Sequence, residues 1–294
     1  MGDALKYKLE IEKRPLPKAF VACMIVAFCC CAAFIYGWKH SLDARGVQWK
    51  SQSSFYSSLG RAQAAHRHAG EYDTTFLGSS ITGRIPGVES GFCQWANLGI
   101  DASSAVEGVN LMLAGVTPST PYVVIEGNQL FADLPPVSKT PEKDFGESIL
   151  CDVPFFTPLY RASTLLWTEL RHETFPVDGS KPYCLAPLPV MAEKPTRPAS
   201  WSDSDERVMQ AVARLQKEKG VKACLVSFPN RGRQTEAYKA EKLRYMAASL
   251  GMPYYDMNAQ IAKDEPIEFS DIVHMQCKYA LRVAATMYKE LHKR

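Results

Sequence analysis

The longest uninterrupted apolar run in the chain covers residues 19–38, AFVACMIVAFCCCAAFIYGW, and contains no charged side chain. About 20 such residues in a helix cross the hydrocarbon core of a bilayer, so the run predicts a transmembrane helix. Tyr36 and Trp38 stand at its far end, where amphipathic rings favour the membrane interface. Residues 39–70 then turn polar and alanine-rich and read as a helical, solvated stalk. From Tyr72 onward short apolar runs alternate with amphipathic stretches. Strands are expected at 73–77 (DTTFL), 92–98 (FCQWANL), 122–126 (YVVIE), 221–228 (VKACLVSF) and 252–256 (MPYYD). Helices are expected at 103–114, 202–219, 234–250 and 276–291. Strands separated by helices argue for an α/β domain over 71–294, with a parallel sheet covered on both faces. Binding and catalytic sites in such sheets form at the carboxyl ends of the strands.

One stretch breaks the rhythm. Residues 129–200 hold eleven of the 19 prolines and one amphipathic helix, near 159–173, and read as an insertion over the site end of the sheet. The formal net charge of +3 gives no electrostatic case for nucleic acid, and the basic residues form no stripe. Their distribution informs topology instead. Lys6, Lys8, Lys13, Arg14 and Lys18 precede the apolar run, whereas Lys39, Arg45 and Lys50 follow it more sparsely. That bias places residues 1–18 in the cytoplasm and the domain on the far, periplasmic or extracellular side. A cleaved signal peptide would have a shorter apolar stretch and a small-residue cleavage site.

The nine cysteines divide by position. Cys23, Cys29, Cys30 and Cys31 lie in the span as small apolar fillers. Cys93 and Cys224 fall in strand-like runs and read as core. Cys151 and Cys184 bracket a loop-rich stretch and are the candidate disulfide, with Cys277 left over. None stands with a histidine at metal-ligand spacing.

The candidate chemistry gathers where the strands end. The first strand runs into Gly78-Ser79-Ser80, the second into Asn97-Leu98-Gly99-Ile100, and the third into Glu126-Gly127-Asn128. Asp271 and His274 precede the last helix. Three residues apart, they share one face of a helical turn, so the carboxylate can orient an imidazole toward a serine. These residues, in this order, resemble the four blocks of the SGNH (GDSL-type) hydrolase superfamily across about residues 73–290. The first block matches at Leu77-Gly78-Ser79-Ser80, with Ser79 where many members carry Asp. The third departs from the usual Gly-x-Asn-Asp, because Gly127 and Asn128 are adjacent and Gln129 follows.

The resemblance implies a three-layer α/β/α sandwich with a flavodoxin-like parallel sheet of about five strands. It also implies a catalytic triad of Ser80, His274 and Asp271, an oxyanion hole from the N–H groups of Ser80 and Gly99 with the Asn128 amide, and no metal or organic cofactor. Membrane-tethered members of the superfamily act on cell-surface polymers. The implied activity is therefore that of a serine esterase or O-acyltransferase working on acyl esters, acetyl foremost, of an envelope glycan. A multi-span membrane acyltransferase is the implied partner. Two alternatives stay open from the sequence: a non-catalytic assembly or binding module, favoured by the irregular third block, and a lysophospholipase-type esterase. For the latter, Phe155, Phe156, Leu159 and Tyr160 are candidate walls of an apolar cleft.

Overall fold

The structure, a computed structural model, describes residues 17–47, 49, 51, 53–90, 93–132, 134, 157–171, 196–230, 237–257, 269, 270 and 274–293. Its first element, α1 (Lys18–Ala44), is one unbroken helix, long and apolar enough to cross a membrane. Phe20, Met24, Ile25, Val26, Phe28 and Phe34 are all exposed along it. The helix outlasts the apolar run because its polar last turns have partners of their own. Lys39 pairs with Asp43 at 2.6 Å, one turn on, and Leu42 is buried against Leu165.

The domain is built on five parallel strands: β1 (Thr74–Gly78), β2 (Trp95–Gly99), β3 (Tyr122–Glu126), β4 (Lys222–Ser227) and β5 (Tyr254–Asp256). Their order across the sheet is β2-β1-β3-β4-β5, the flavodoxin-like arrangement. All five expected strands are present: 122–126 as expected, 221–228 and 252–256 shortened, and 73–77 and 92–98 starting later and ending one residue further on. The sheet is covered on both faces, which is why its strands read as nearly continuous apolar runs. Leu77, Val123, Ile125, Leu225 and Tyr254 point to one face. There they meet α2 (Ser54–Arg67), α3 (Ala105–Leu113), α5 (Asp203–Lys219) and α6 (Ala237–Ser249). Phe76, Val124, Cys224, Val226 and Tyr255 point to the other and meet Val283, Ala284 and Met287 of α7 (Cys277–His292). Cys224 is core, and Cys93 packs partly buried at its edge. Cys151 and Cys184 lie outside the described residues.

Two organisational expectations change. Residues 54–67 are not a solvated stalk: α2 lies against β2, with every residue from Ser57 to Ala65 buried. Small residues at Ser57, Ser58, Gly60, Ala62, Ala64 and Ala65 let the helix approach closely, and the cost of burying the Arg61 guanidinium is offset by its hydrogen bonds to the Gly99 carbonyl. Within the proline-rich insertion, a 3-10 turn (Pro158–Tyr160) followed by α4 (Ala162–Arg171) packs on α1. Tyr160 stacks on Tyr36, and Glu169 receives hydrogen bonds from Trp38 Nε1 at 3.2 Å and from Arg45 at 2.8 and 2.6 Å. Phe155 and Phe156 are outside the described residues; Leu159 is buried.

Charge also holds the helices in place. Asp205 closes a capping box with Ser202 at the start of α5 and accepts Lys242 Nζ from α6 at 2.7 Å, with both side chains almost wholly buried. Burial pushes the Asp205 carboxyl up, but its hydrogen bonds with Lys242 and Ser202 outweigh this and hold it below the usual range. Removing one partner strands the other charge inside, so Asp205→Ala is expected to lower stability by about 3 kcal/mol in denaturant titrations of the full chain in detergent. The depressed carboxyl contributes stability above its unfolded value, and that contribution is lost as pH falls below about 4.

At the other end of the sheet, His292 Nε2 meets Asp73 at 2.9 Å and Nδ1 meets the Tyr288 carbonyl at 2.7 Å. Desolvation pulls the imidazole down, yet these two bonds prevail and raise it. This clasp is complete below the unfolded value of about 6.5 and is lost as pH rises through the raised one. Amide exchange in the last turn of α7 should therefore quicken across that window more than at mid-helix.

Candidate active site

β1 delivers Ser79 and Ser80 to the carboxyl end of the sheet, at the switch point where the chain's crossovers leave β1 for β2 on one side and β3 on the other. Ser79 begins a helical turn. Its Oγ accepts the Ile81 N–H at 3.2 Å, its carbonyl accepts the Gly83 N–H at 2.9 Å, and a 3-10 turn (Thr82–Arg84) follows. Ser80 occupies the first position of that turn, half-buried, and its own N–H makes no hydrogen bond among the described residues. Its Oγ lies 2.8 Å from His274 Nε2, a contact between residues 194 apart in sequence.

His274 arrives from a clasped loop. Phe269 and Met275 form an antiparallel bridge, and the Ser270 N–H donates to the His274 carbonyl at 2.9 Å. In a helix a later N–H reaches back to an earlier carbonyl; here the bond runs the other way. The helical turn expected between Asp271 and His274 rests on residues 271–273, which lie outside the described residues. Asp271 itself lies outside the described residues.

Beneath Ser80 sits Glu126, the last residue of β3, 1% exposed. Its Oε2 accepts the N–H groups of Ser79 at 2.8 Å and Thr82 at 3.1 Å and the Thr82 hydroxyl at 2.6 Å, while Oε1 accepts the Ser79 hydroxyl at 2.6 Å. The sequence reading placed Glu126 at a strand end without giving it a role. The available signal was a lone carboxylate closing the apolar run YVVI at the site end of the sheet.

The second block proves to be a clamp. Asn97 Nδ2 donates to the carbonyls of Thr82, at 3.1 Å, and Ile85, and Asn97 Oδ1 accepts the Gly99 N–H at 2.7 Å. Gly99 is needed for space: a Cβ there would run into Gly83 N and Cα and the Ser79 carbonyl. Arg61 of α2, 5% exposed, reaches the Gly99 carbonyl with Nε at 2.9 Å and Nη2 at 2.6 Å and pairs with Asp101 at 2.8 Å. Sequence reasoning missed Arg61, although a single charge among small residues in SSLGRAQAA marks a side chain with a buried partner.

The three expected oxyanion donors thus differ in their commitments. Among the described residues the Ser80 N–H is open, the Gly99 N–H is spent on Asn97, and the Asn128 amide is paired with the backbone of Phe228 just beyond β4. Asn128 Nδ2 donates to the Phe228 carbonyl at 2.8 Å, and Oδ1 accepts the Phe228 N–H at 2.7 Å. Asn128 therefore ties β3 to β4. Among the described residues no three His, Cys, Asp or Glu side chains gather as metal ligands.

Because backbone, not a flexible side chain, surrounds Gly99, Gly99→Ala is expected to cost about 2–3 kcal/mol in unfolding experiments, with the Ser79–Arg84 turn displaced. No protein-family model matches the chain, and neither does any curated protein.

Proposed function

We propose that this chain is a membrane-anchored serine esterase or O-acyltransferase of the SGNH type, acting on acyl esters, acetyl foremost, of cell-envelope glycans. The observation that carries the reading is the 2.8 Å contact between Ser80 Oγ and His274 Nε2 at the switch point of the sheet. In this scheme His274 Nε2 takes the Ser80 proton as Oγ bonds to the ester carbonyl carbon. The resulting oxyanion is met by the open Ser80 N–H. Collapse of the tetrahedral intermediate breaks the ester C–O bond, and His274 returns the proton to the departing alcohol. Water or a sugar hydroxyl then attacks the acyl-serine with the same proton traffic reversed. Asp271 takes the orienting role that the resemblance implies. The α1 helix, with more basic residues before it than after, supports an outward-facing domain held near substrates made at the membrane, beside a multi-span acyltransferase.

A second reading, a non-catalytic assembly module on the same fold, is favoured by one observation. Of the three amide donors assigned to the oxyanion, the Gly99 N–H is committed to Asn97, and Asn128 Nδ2 gives one of its two hydrogens to the Phe228 carbonyl. Losing an oxyanion donor typically costs about 10²–10³ in rate.

Labelling with a fluorophosphonate probe separates the two. The full chain in detergent micelles should label, with Ser80→Ala and His274→Ala silent. A folded wild-type chain that resists labelling overturns the catalytic reading in favour of the module.

A further inference from the structure

We infer that Glu126 is the positioning residue of this site, the group that sets where the Ser80 hydroxyl stands relative to His274. The inference rests on the reading of Ser80 as nucleophile and extends it to a residue that the resemblance does not assign.

Four donors converge on the Glu126 carboxylate. The N–H groups of Ser79 and Thr82 cannot reverse their polarity, and both point into a space closed to solvent. Left alone, each would be an unpaired buried donor. An ionised carboxylate is acceptor-only, with lone pairs for several partners at once, and Glu126 satisfies both amides and both hydroxyls from one side chain. The contacts bracket Ser80: one pair comes from the residue before it and the other from two residues after. Ser80 cannot shift along or rotate about the turn without breaking bonds on one side or the other.

The surroundings are shaped for this carboxylate. Gly78 leaves the room it occupies, since a Cβ at that position would collide with Glu126 Oε2 and Thr82 Oγ1. Glu126 comes from β3, in register with β4 through Val226, so the turn is referenced to the middle of the sheet and not to its own short segment. The other side of the same turn is held by Asn97 from β2. Neither Glu126 nor Asn97 touches the reacting atoms in the mechanism above; both act through the turn.

The test uses the full chain in micelles and compares wild type, Glu126→Gln and Ser80→Ala. Glutamine keeps the shape and one acceptor oxygen. Placed with that oxygen at the Oε2 position, it still accepts both amides, while its NH2 faces the Ser79 hydroxyl, which can turn to accept. The variant should fold, with a thermal midpoint close to wild type, but the neutral oxygen holds the turn less firmly. The fluorophosphonate labelling rate is expected to fall by about ten- to a hundredfold. The His274 ring signal in histidine-selective ¹⁵N spectra should move toward that of Ser80→Ala as the Ser80–His274 contact loosens. A Glu126→Gln chain with wild-type labelling and a wild-type His274 signal overturns the inference. If wild type itself fails to label, the nucleophile reading fails, yet the His274 signal still decides whether Glu126 sets the Ser80–His274 contact. A Thr82→Val chain removes one of the four donors and should shift the same signal in the same direction by a smaller amount.

Discussion

At the site end of the sheet two strand ends and one turn are packed closer than side chains permit, and the candidate site depends on that approach. Gly78 and Gly99 are paired across β1 and β2, and the turn beginning at Ser79 folds back over both. Glycine at the two positions lets the Glu126 carboxylate enter from one side and the Gly83 backbone from the other. With the turn so close, its polar groups lose access to water and must be satisfied from within. Glu126 from β3 and Asn97 from β2 do this, and Arg61 of α2 satisfies the Gly99 carbonyl. Two strands of the sheet and one helix are thereby joined at one turn.

The same economy explains why two residues with a catalytic look serve the scaffold. A side-chain amide beside an open strand end can donate to a passing oxyanion or complete a backbone pairing. Asn128 does the second, bridging β3 to the Phe228 backbone just beyond β4. Gly99 lends its N–H to the Asn97 side chain that holds the turn. The Ser80 N–H, without a hydrogen bond among the described residues, stands at the first position of a turn whose next amides are already capped.

Attachment of the apolar helix is also structural in character. Glu169 joins Trp38 and Arg45, Tyr160 stacks on Tyr36, and Arg161 lies 4.0 Å from the ring of Tyr56 in α2. α1, α4 and α2 form a continuous set of contacts, so the domain is braced against the helix that precedes it. The individual pairs are partly exposed and modest in energy. Their number, and the buried Leu42 and Leu165 between them, make the junction a packed one.

What the sequence determined by itself was whatever local physics dictates. An uncharged run of membrane length and five apolar runs separated by amphipathic helices were enough for the α/β class and the apolar helix, whereas the choice of Ser80 and His274 as partners came from the resemblance of the strand-end blocks. Strand order, the burial of α2 and the partners of Glu126, Arg61, Asn97 and Asn128 were decided only by tertiary structure. Each depends on groups far apart in the chain: Arg61 and Gly99, Glu126 and Ser79, Asn128 and Phe228. Periodicity reports which face of an element is apolar, because each residue's exposure repeats with the local geometry. It carries no record of which distant donor will satisfy a buried carboxylate, since that pairing exists only once the strands have crossed over and closed the space around it.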